Sequence, residues 1–535
     1  MSQQSFSREK WSSRIGVVLA MAANAVGLGN FLRFPVQCAN HGGGAFMIPY
    51  FVAFFLLGIP LLWIEWGIGR FGGKYGHGTT PGMFHYLWKH PLAKYLGALG
   101  LAIPFGLVLY YTYIASWTLG YSVFSLTGKY FGIQNYQGMV DFLAAYQGKT
   151  VNAHFHGLGT AYFYYLITLG LMIWILKRGI SKGIELLAKV SMPLIILFGI
   201  ILVLRVLTLG TPDLRHPDWN IGNGFGFIWN PDFSMLKDSK VWLAATGQIF
   251  FTLSVGFGAI QTYASYLREK DDVVVSGLAT STTNELCEIV LGGSIAIPVT
   301  VAFFGLAQTK AIAASGAFDL GFFAMPMIFQ KLFLGQILGT LWFFLLFLAG
   351  VTSSVAMAQP LMAFLQEEFR FTRPTAAYWV GGLIFFLSIP VVIFLKYGFL
   401  NEIDFWIGTF GLVVFAIIEV VLFLWVFGPQ NAWKEIMVGA DWKIPKIFLP
   451  IMQYVTPLYL VALLVFWFLQ DGLKILTMSG VPPQNYPYIW FARFLLLAVA
   501  VISLVIVRIA WQQPHRIQQR RSEEHTSELQ SRVDI

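Results

Sequence analysis

The chain has 535 residues, 57% of them hydrophobic and only 11% charged, with a formal net charge of +9. Soluble proteins carry about 25% charged residues, and a water-soluble fold of this length could not hide so much apolar surface, so the composition points to an all-α polytopic membrane protein. The basic balance does not imply nucleic acid, because Lys and Arg cluster in short loops between apolar runs, where they act as topology signals.

The polar start MSQQSFSREKW does not read as a cleavable signal sequence, so the first span is expected to do the targeting. About twelve spans follow, at 14–38, 44–70, 91–124, 160–177, 185–207, 240–267, 272–305, 335–368, 374–396, 399–427, 446–470 and 487–510, each near the roughly 20 residues a crossing helix needs. With the N-terminus inside, cytoplasmic segments hold about 21 Lys and Arg and outer loops about 9, which favours a plasma-membrane protein with both termini cytoplasmic. The longest outer connections are 125–159, 208–239 and 306–334. Cys38 and Cys287 both lie in apolar segments, so no disulfide framework is implied. The run RSEEHTSELQS, Arg521 to Ser531, reads like a translated sequencing adapter, and 521–535 is expected to be non-native.

No Walker A, H-E-x-x-H or G-x-S-x-G pattern occurs, and no Cys/His cluster has metal-ligand spacing. Neither nucleotide hydrolysis nor covalent catalysis has a place here, so the chain is not expected to be an enzyme.

Two spans are weakened in their middles. Residues 24–30 read N-A-V-G-L-G-N, and 248–258 read QIFFTLSVGFG. The breaks lie five spans apart. An odd repeat of five spans sets the two halves in opposite orientations, and interrupted helices at matched positions point to a binding site at the bilayer midplane. Unwound backbone in hydrocarbon costs several kcal/mol per unpaired polar group. Freed N–H groups suit an anion and freed carbonyls a small cation. A substrate carrying both a carboxylate and an ammonium would match both.

The segments NAVGLGNFLRFP (24–35), GGGAFMIPY (42–50), GHGTTP (76–81), RGISKGIE (178–185), GQIFFTLSVGFGAI (247–260) and AGVTSS (349–354) resemble the neurotransmitter:sodium symporter family, most closely its bacterial members of the leucine-transporter type. The resemblance runs from about Arg8 into span twelve. It implies a 5+5 inverted repeat with helices 1 and 6 unwound at mid-membrane. The organisation is then a cytoplasmic segment (1–13), a first repeat (14–207), a second repeat with its preceding outer loop (208–427), spans eleven and twelve (428–512) and a cytoplasmic tail (513–535).

The resemblance also assigns residues. Sodium site 1 matches Ala25, Asn30, Thr252 and Asn284, with the substrate carboxylate completing the shell. Sodium site 2 matches Ala23, Val26, Ala349, Thr352 and Ser353, all neutral ligands; position 23 is usually glycine in the family, and its ligand there is a carbonyl. The substrate pocket matches Ala25, Leu28, Gly29, Leu107, Tyr111, Phe251, Thr252, Ser254, Phe257, Ser353 and Met357. Amine-carrying members have an aspartate where this chain has Gly27, so the substrate is expected to bring its own carboxylate. Glu288 stands where chloride-dependent members lack an acid, which implies chloride independence. Arg33 and Asp404 match an outer gate below which Tyr111 and Phe251 form a lid. Arg8 and Glu367 match an inner gate with Trp11, Ser265 and Tyr266 nearby; an aspartate is the usual partner where Glu367 stands. Glu65 is expected to support the unwound backbone of span one.

Sodium-coupled symport of small to medium, mainly apolar, neutral amino acids by alternating access is therefore expected, with two Na+ ions, an amino acid and the lipid bilayer as partners and a monomeric or homodimeric carrier. Two other readings stay open: an amino-acid-binding membrane sensor without transport, and a proton-coupled carrier of the same fold.

Overall fold

A computed structural model describes residues 9–316 and 318–513; it contains helices and no strand among them. Arg8 and the suspected non-native tail lie outside the described residues. Ten continuous helices are long and apolar enough to cross a membrane: Gly44–Lys74, Ala93–Thr127, Gly159–Arg178, Ile180–Leu207, Val273–Ser315, Gly335–Phe369, Arg373–Ile393, Phe399–Val426, Phe448–Gln470 and Pro483–Ala510. These are expected spans two to five and seven to twelve.

The remaining two are broken where the sequence weakens them. Span one is Arg14–Ala25 followed by Gly29–Asn40, bent by 49°. Ser13 caps its start by accepting the Gly16 N–H at 3.0 Å. Span six is Ser239–Leu253 followed by the short helix Ala259–Ala264. Its break contains three left-handed residues, Ser254 (φ 54°), Gly256 (φ 76°) and Gly258 (φ 79°). Glycine is required at the last two for a second reason: an added Cβ would lie 2.6 Å from the Leu412 carbonyl oxygen at 256 and 2.4 Å from the Gly100 carbonyl oxygen at 258.

Span seven was expected to end at 305, and the helix turns there at Gly305, φ 77°, before continuing to Ser315. The three long connections expected on the outer side each hold a helix that apolar periodicity did not single out: Tyr136–Tyr146, Ile221–Trp229 and Met325–Phe329 with the wide turn before it. Spans three and eight pack along each other through their length and wall one side of the two breaks.

On the face that carries Trp11, the helix Pro429–Met437 is tied down by a fully buried Arg70 of span two. Its Nε meets Glu435 at 3.0 Å, and Nη1 donates to the carbonyls of Asp271 at 2.6 Å and Val438 at 2.7 Å. Lys74 adds a second bond to Glu435 at 2.7 Å.

Candidate substrate and sodium site

The break in span one leaves Gly27 and Leu28 with backbone N–H groups no helix can use. The Gly27 N–H goes to Asn30 Oδ1 at 2.8 Å, and the Leu28 N–H to the Tyr111 hydroxyl oxygen at 2.8 Å. Gly27, Asn30 and Tyr111 line a small cavity together with Asn24, Ala25, Gly29, Leu107, Phe251, Ser254, Phe257, Ser353 and Met357, while the expected pocket residues Leu28 and Thr252 lie outside its lining. Its volume, ≈ 10 Å³, is about that of one water site, so a larger occupant requires the walls to move apart. Two glycines set its shape. A Cβ at 27 would sit 2.5 Å from the Tyr111 hydroxyl, and one at 29 would sit 2.6 Å from the Phe251 ring.

Against the cavity lies a cluster of neutral oxygens. The Asn30 amide donates to Thr252 Oγ1 at 3.0 Å and to Asn284 Oδ1 at 2.8 Å, and the Asn284 amide donates to Thr252 Oγ1 at 2.9 Å. All three residues are buried. Thr252 in turn donates to Glu288, whose carboxylate also receives Gln248 Nε2 at 3.0 Å and the Tyr50 hydroxyl at 3.0 Å. Amide and hydroxyl oxygens of this kind suit a hard monovalent cation, and two acids stand a step behind them: Glu288, and Glu285, which shares the Tyr50 hydroxyl at 2.6 Å and accepts from the Asn284 amide at 3.4 Å.

The second expected cluster is equally neutral. Ser353 Oγ donates to the carbonyls of Asn24 at 3.1 Å and Ala349 at 3.1 Å, and Thr352 Oγ1 donates to Leu348 at 3.0 Å and Ala349 at 2.9 Å. Both hydroxyls use their hydrogens on carbonyls, which leaves their lone pairs for a cation. Ser254 Oγ also donates to the Asn24 carbonyl, at 3.2 Å, so this one carbonyl ties span one to spans six and eight. Ala23 and Val26 are buried beside it.

The gates are placed differently from the expectation. Arg33 and Asp404 form no direct ion pair within 4.0 Å. Arg33 donates to the Gly247 carbonyl at 3.2 Å and to Gln248 Oε1 at 3.0 Å, and its guanidinium lies 4.9 Å from the Phe251 ring centre. Asp404 instead accepts from the Tyr110 hydroxyl. Each charge has found a neutral partner nearer to hand. At the opposite face Trp11 is buried, donates Nε1 to the Tyr263 carbonyl at 3.0 Å and packs edge-on against Tyr263 and Tyr266. Ser265 bonds back to Thr262 at 2.6 Å, and Gln359 donates to Tyr266 at 3.1 Å. Glu367 accepts the Gly78 N–H at 2.7 Å; its expected partner Arg8 lies outside the described residues.

Glu65 corrects another expectation. Its carboxylate accepts the Gly256 N–H at 2.5 Å, so it supports the unwound part of span six and not that of span one.

A scan against family models matches residues 8–131 and 134–515 to the sodium:neurotransmitter symporter family. The chain belongs to that family. An uncharacterized sodium-dependent transporter of Methanocaldococcus jannaschii is 30% identical over 514 residues, 94% of this chain and 98% of its own. A sodium-dependent dopamine transporter of Caenorhabditis elegans is 26% identical over 500 residues, 80% of this chain and 77% of its own. Among solved structures, MhsT in complex with L-phenylalanine matches with a TM-score of 0.73 and 28% identity, covering 86% of this chain and 99% of MhsT. This is therefore a multi-pass sodium-dependent transporter with the fold of its family, and its relatives are carriers, not enzymes.

Several residues at the symporter site, Glu285 beside Asn284 among them, escaped the sequence reading. Tyr50 and Gln248 hold Glu288, Tyr110 holds Asp404, and Asn24 lines the cavity with both side-chain polar atoms buried and unpartnered. Tyr50 and Gln248 lie inside the family-like segments, and Asn24 opens the first break, so the signal was present as position but not as partner.

Proposed function

We propose that the chain is a chloride-independent symporter of small to medium neutral amino acids, moving two sodium ions by alternating access with both termini cytoplasmic. The observation that carries this reading is the meeting of two chemistries at one break. The Tyr111 hydroxyl, which accepts the Leu28 N–H, lines the same cavity as Asn30, and Asn30 is bonded to Thr252 and Asn284. An amino acid placed there gives its carboxylate to Leu28, Gly29 and Tyr111 and, through the same group, to the ion at Ala25, Asn30, Thr252 and Asn284. Ion and substrate then raise each other's affinity by the same factor. The ammonium faces the carbonyls freed at the span-six break. Gly27 supports a substrate with its own carboxylate, since no room or charge is provided there for an aspartate's role. Leu107, Phe257 and Met357 restrict the side chain, and the L-phenylalanine in MhsT supports an amino acid as the class of substrate. The second ion, at Ala23, Val26, Ala349, Thr352 and Ser353, braces span one against span eight while the outer face is open.

Sodium-dependent competition of the twenty amino acids against one labelled substrate in proteoliposomes tests the reading. Saturable, sodium-driven uptake of neutral amino acids in gluconate is expected. Binding without flux, or uptake driven by a proton gradient alone, would contradict it.

A further inference from the structure

Glu185 opens span five, and its side chain is fully buried. In the sequence it is only the last residue of RGISKGIE, and it has no part in the sites above. Its carboxylate gathers donors from the residues that lead into span one: the Ser12 N–H at 2.8 Å, the Ser12 hydroxyl and the Ser13 hydroxyl at 3.1 Å. Lys189, one turn on, neutralises it at 2.7 Å. The fit is close enough to dictate a residue on the other helix. A Cβ at Gly16 would lie 1.9 Å from Glu185 Oε1. A neighbouring acid repeats the pattern: Glu9 accepts the Ile180 N–H at 2.7 Å and pairs with Arg373 at 3.0 Å.

We propose that Glu185 is a positioning residue for the inner gate, a latch that holds the first half of span one against span five whenever the cytoplasmic face is closed. This rests on the alternating-access reading above. Span one is already hinged, bent by 49° between its halves, and the start of its first half is tied to span five by hydrogen bonds that converge on one carboxylate. Opening the inner face by swinging that half outward must break all of them together, because Ser12 and Ser13 are adjacent. The latch therefore resists opening as a unit. It acts at the span's entry, whereas the Trp11 plug acts on span six. Gly16, Ala20 and Ala23 follow one another at helical spacing. The strip of span one that Glu185 clamps is thus continuous with the Ala23 carbonyl of the second ion site, and release of the latch unseats the strip along which that ion must leave.

The test is thiol labelling from the cytoplasmic face of inside-out vesicles, in sodium, with Ala20→Cys and Cys287→Ala in the full chain. Ala20 is buried on the clamped strip; native Cys38, buried in the other half of span one, is the internal control for an intact fold. Labelling of the cysteine at 20 should be slow and sodium-sensitive with Glu185 present. With Glu185→Ala it should be faster by about tenfold or more, the effect of removing several charge-assisted hydrogen bonds, with Cys38 still unlabelled. Ser12→Ala, an exposed change that leaves the core untouched, should shift the rate the same way by less. Unchanged labelling in both variants overturns the latch, as does a rise at Cys38 equal to that at 20. If labelling ignores sodium with Glu185 present, the alternating-access reading fails and the latch with it. If Glu185→Ala does not fold, Ser12→Ala decides alone.

Discussion

Glu288→Gln removes one charge and keeps the side chain's size, so it isolates what that charge does for sodium. Glu288 reaches the expected ion through Thr252, to which it is hydrogen-bonded. A carboxylate about 5 Å from the ion, at an effective dielectric constant near 20, contributes about 3 kcal/mol. That corresponds to roughly a hundredfold in sodium affinity. The hydrogen bonds from Gln248 and Tyr50 persist in part, because the glutamine oxygen still accepts one of them. Sodium-dependent substrate binding by the purified protein in gluconate is the assay: the sodium midpoint should rise by about two orders of magnitude in the variant. Glu288→Ser, which also clears space, should either lose uptake or acquire a chloride requirement. An unchanged sodium midpoint for Glu288→Gln, or normal chloride-free uptake by Glu288→Ser, would refute the role assigned to this carboxylate.

Further outcomes are expected elsewhere. Asn30→Ala or Asn284→Ala should weaken sodium and substrate together, measured as sodium-dependent binding, because the ion and the carboxylate touch. Leu107→Ala or Met357→Ala should shift preference in a competition series toward larger side chains while the carboxylate requirement stays. Gly27→Asp should abolish amino-acid uptake, since its Cβ would meet the Tyr111 hydroxyl at 2.5 Å. Arg70→Met should lower the thermal unfolding midpoint, because the carbonyls of Asp271 and Val438 lose their buried donor at about 1–3 kcal/mol each, while Lys74 still pairs with Glu435.

The spans and both breaks were legible because hydrocarbon enforces a simple rule: an apolar run stays helical unless glycine, asparagine or serine interrupts it, and both interruptions fell in matched spans. Even the turn at Gly305 was marked, as the expected end of span seven. Partner choice was not legible. Arg33 and Asp404 look like a pair in the sequence, yet Gly247, Gln248 and Tyr110 satisfy them first. Glu65 was assigned to the nearer break in sequence, but the buried Gly256 N–H lies within its reach. Glu185 was visible only as the last residue of RGISKGIE, with no role attached, because its significance depends on which serines the fold brings across from 173 positions away. Residue types fix what a side chain can bond; the packing of the helices decides which bond is made.

The account's central claim is that the first break exists to hold a carboxylate and a sodium ion side by side. A binding series in saturating sodium, run with amino acids, their amides and their decarboxylated amines, tests it most directly. Two or three charge-assisted hydrogen bonds at about 1.5–3 kcal/mol each make the amines weaker by hundreds-fold or more, and an amine also deprives the first sodium ion of its carboxylate ligand. Amines that bind as tightly as their parent amino acids would contradict the claim.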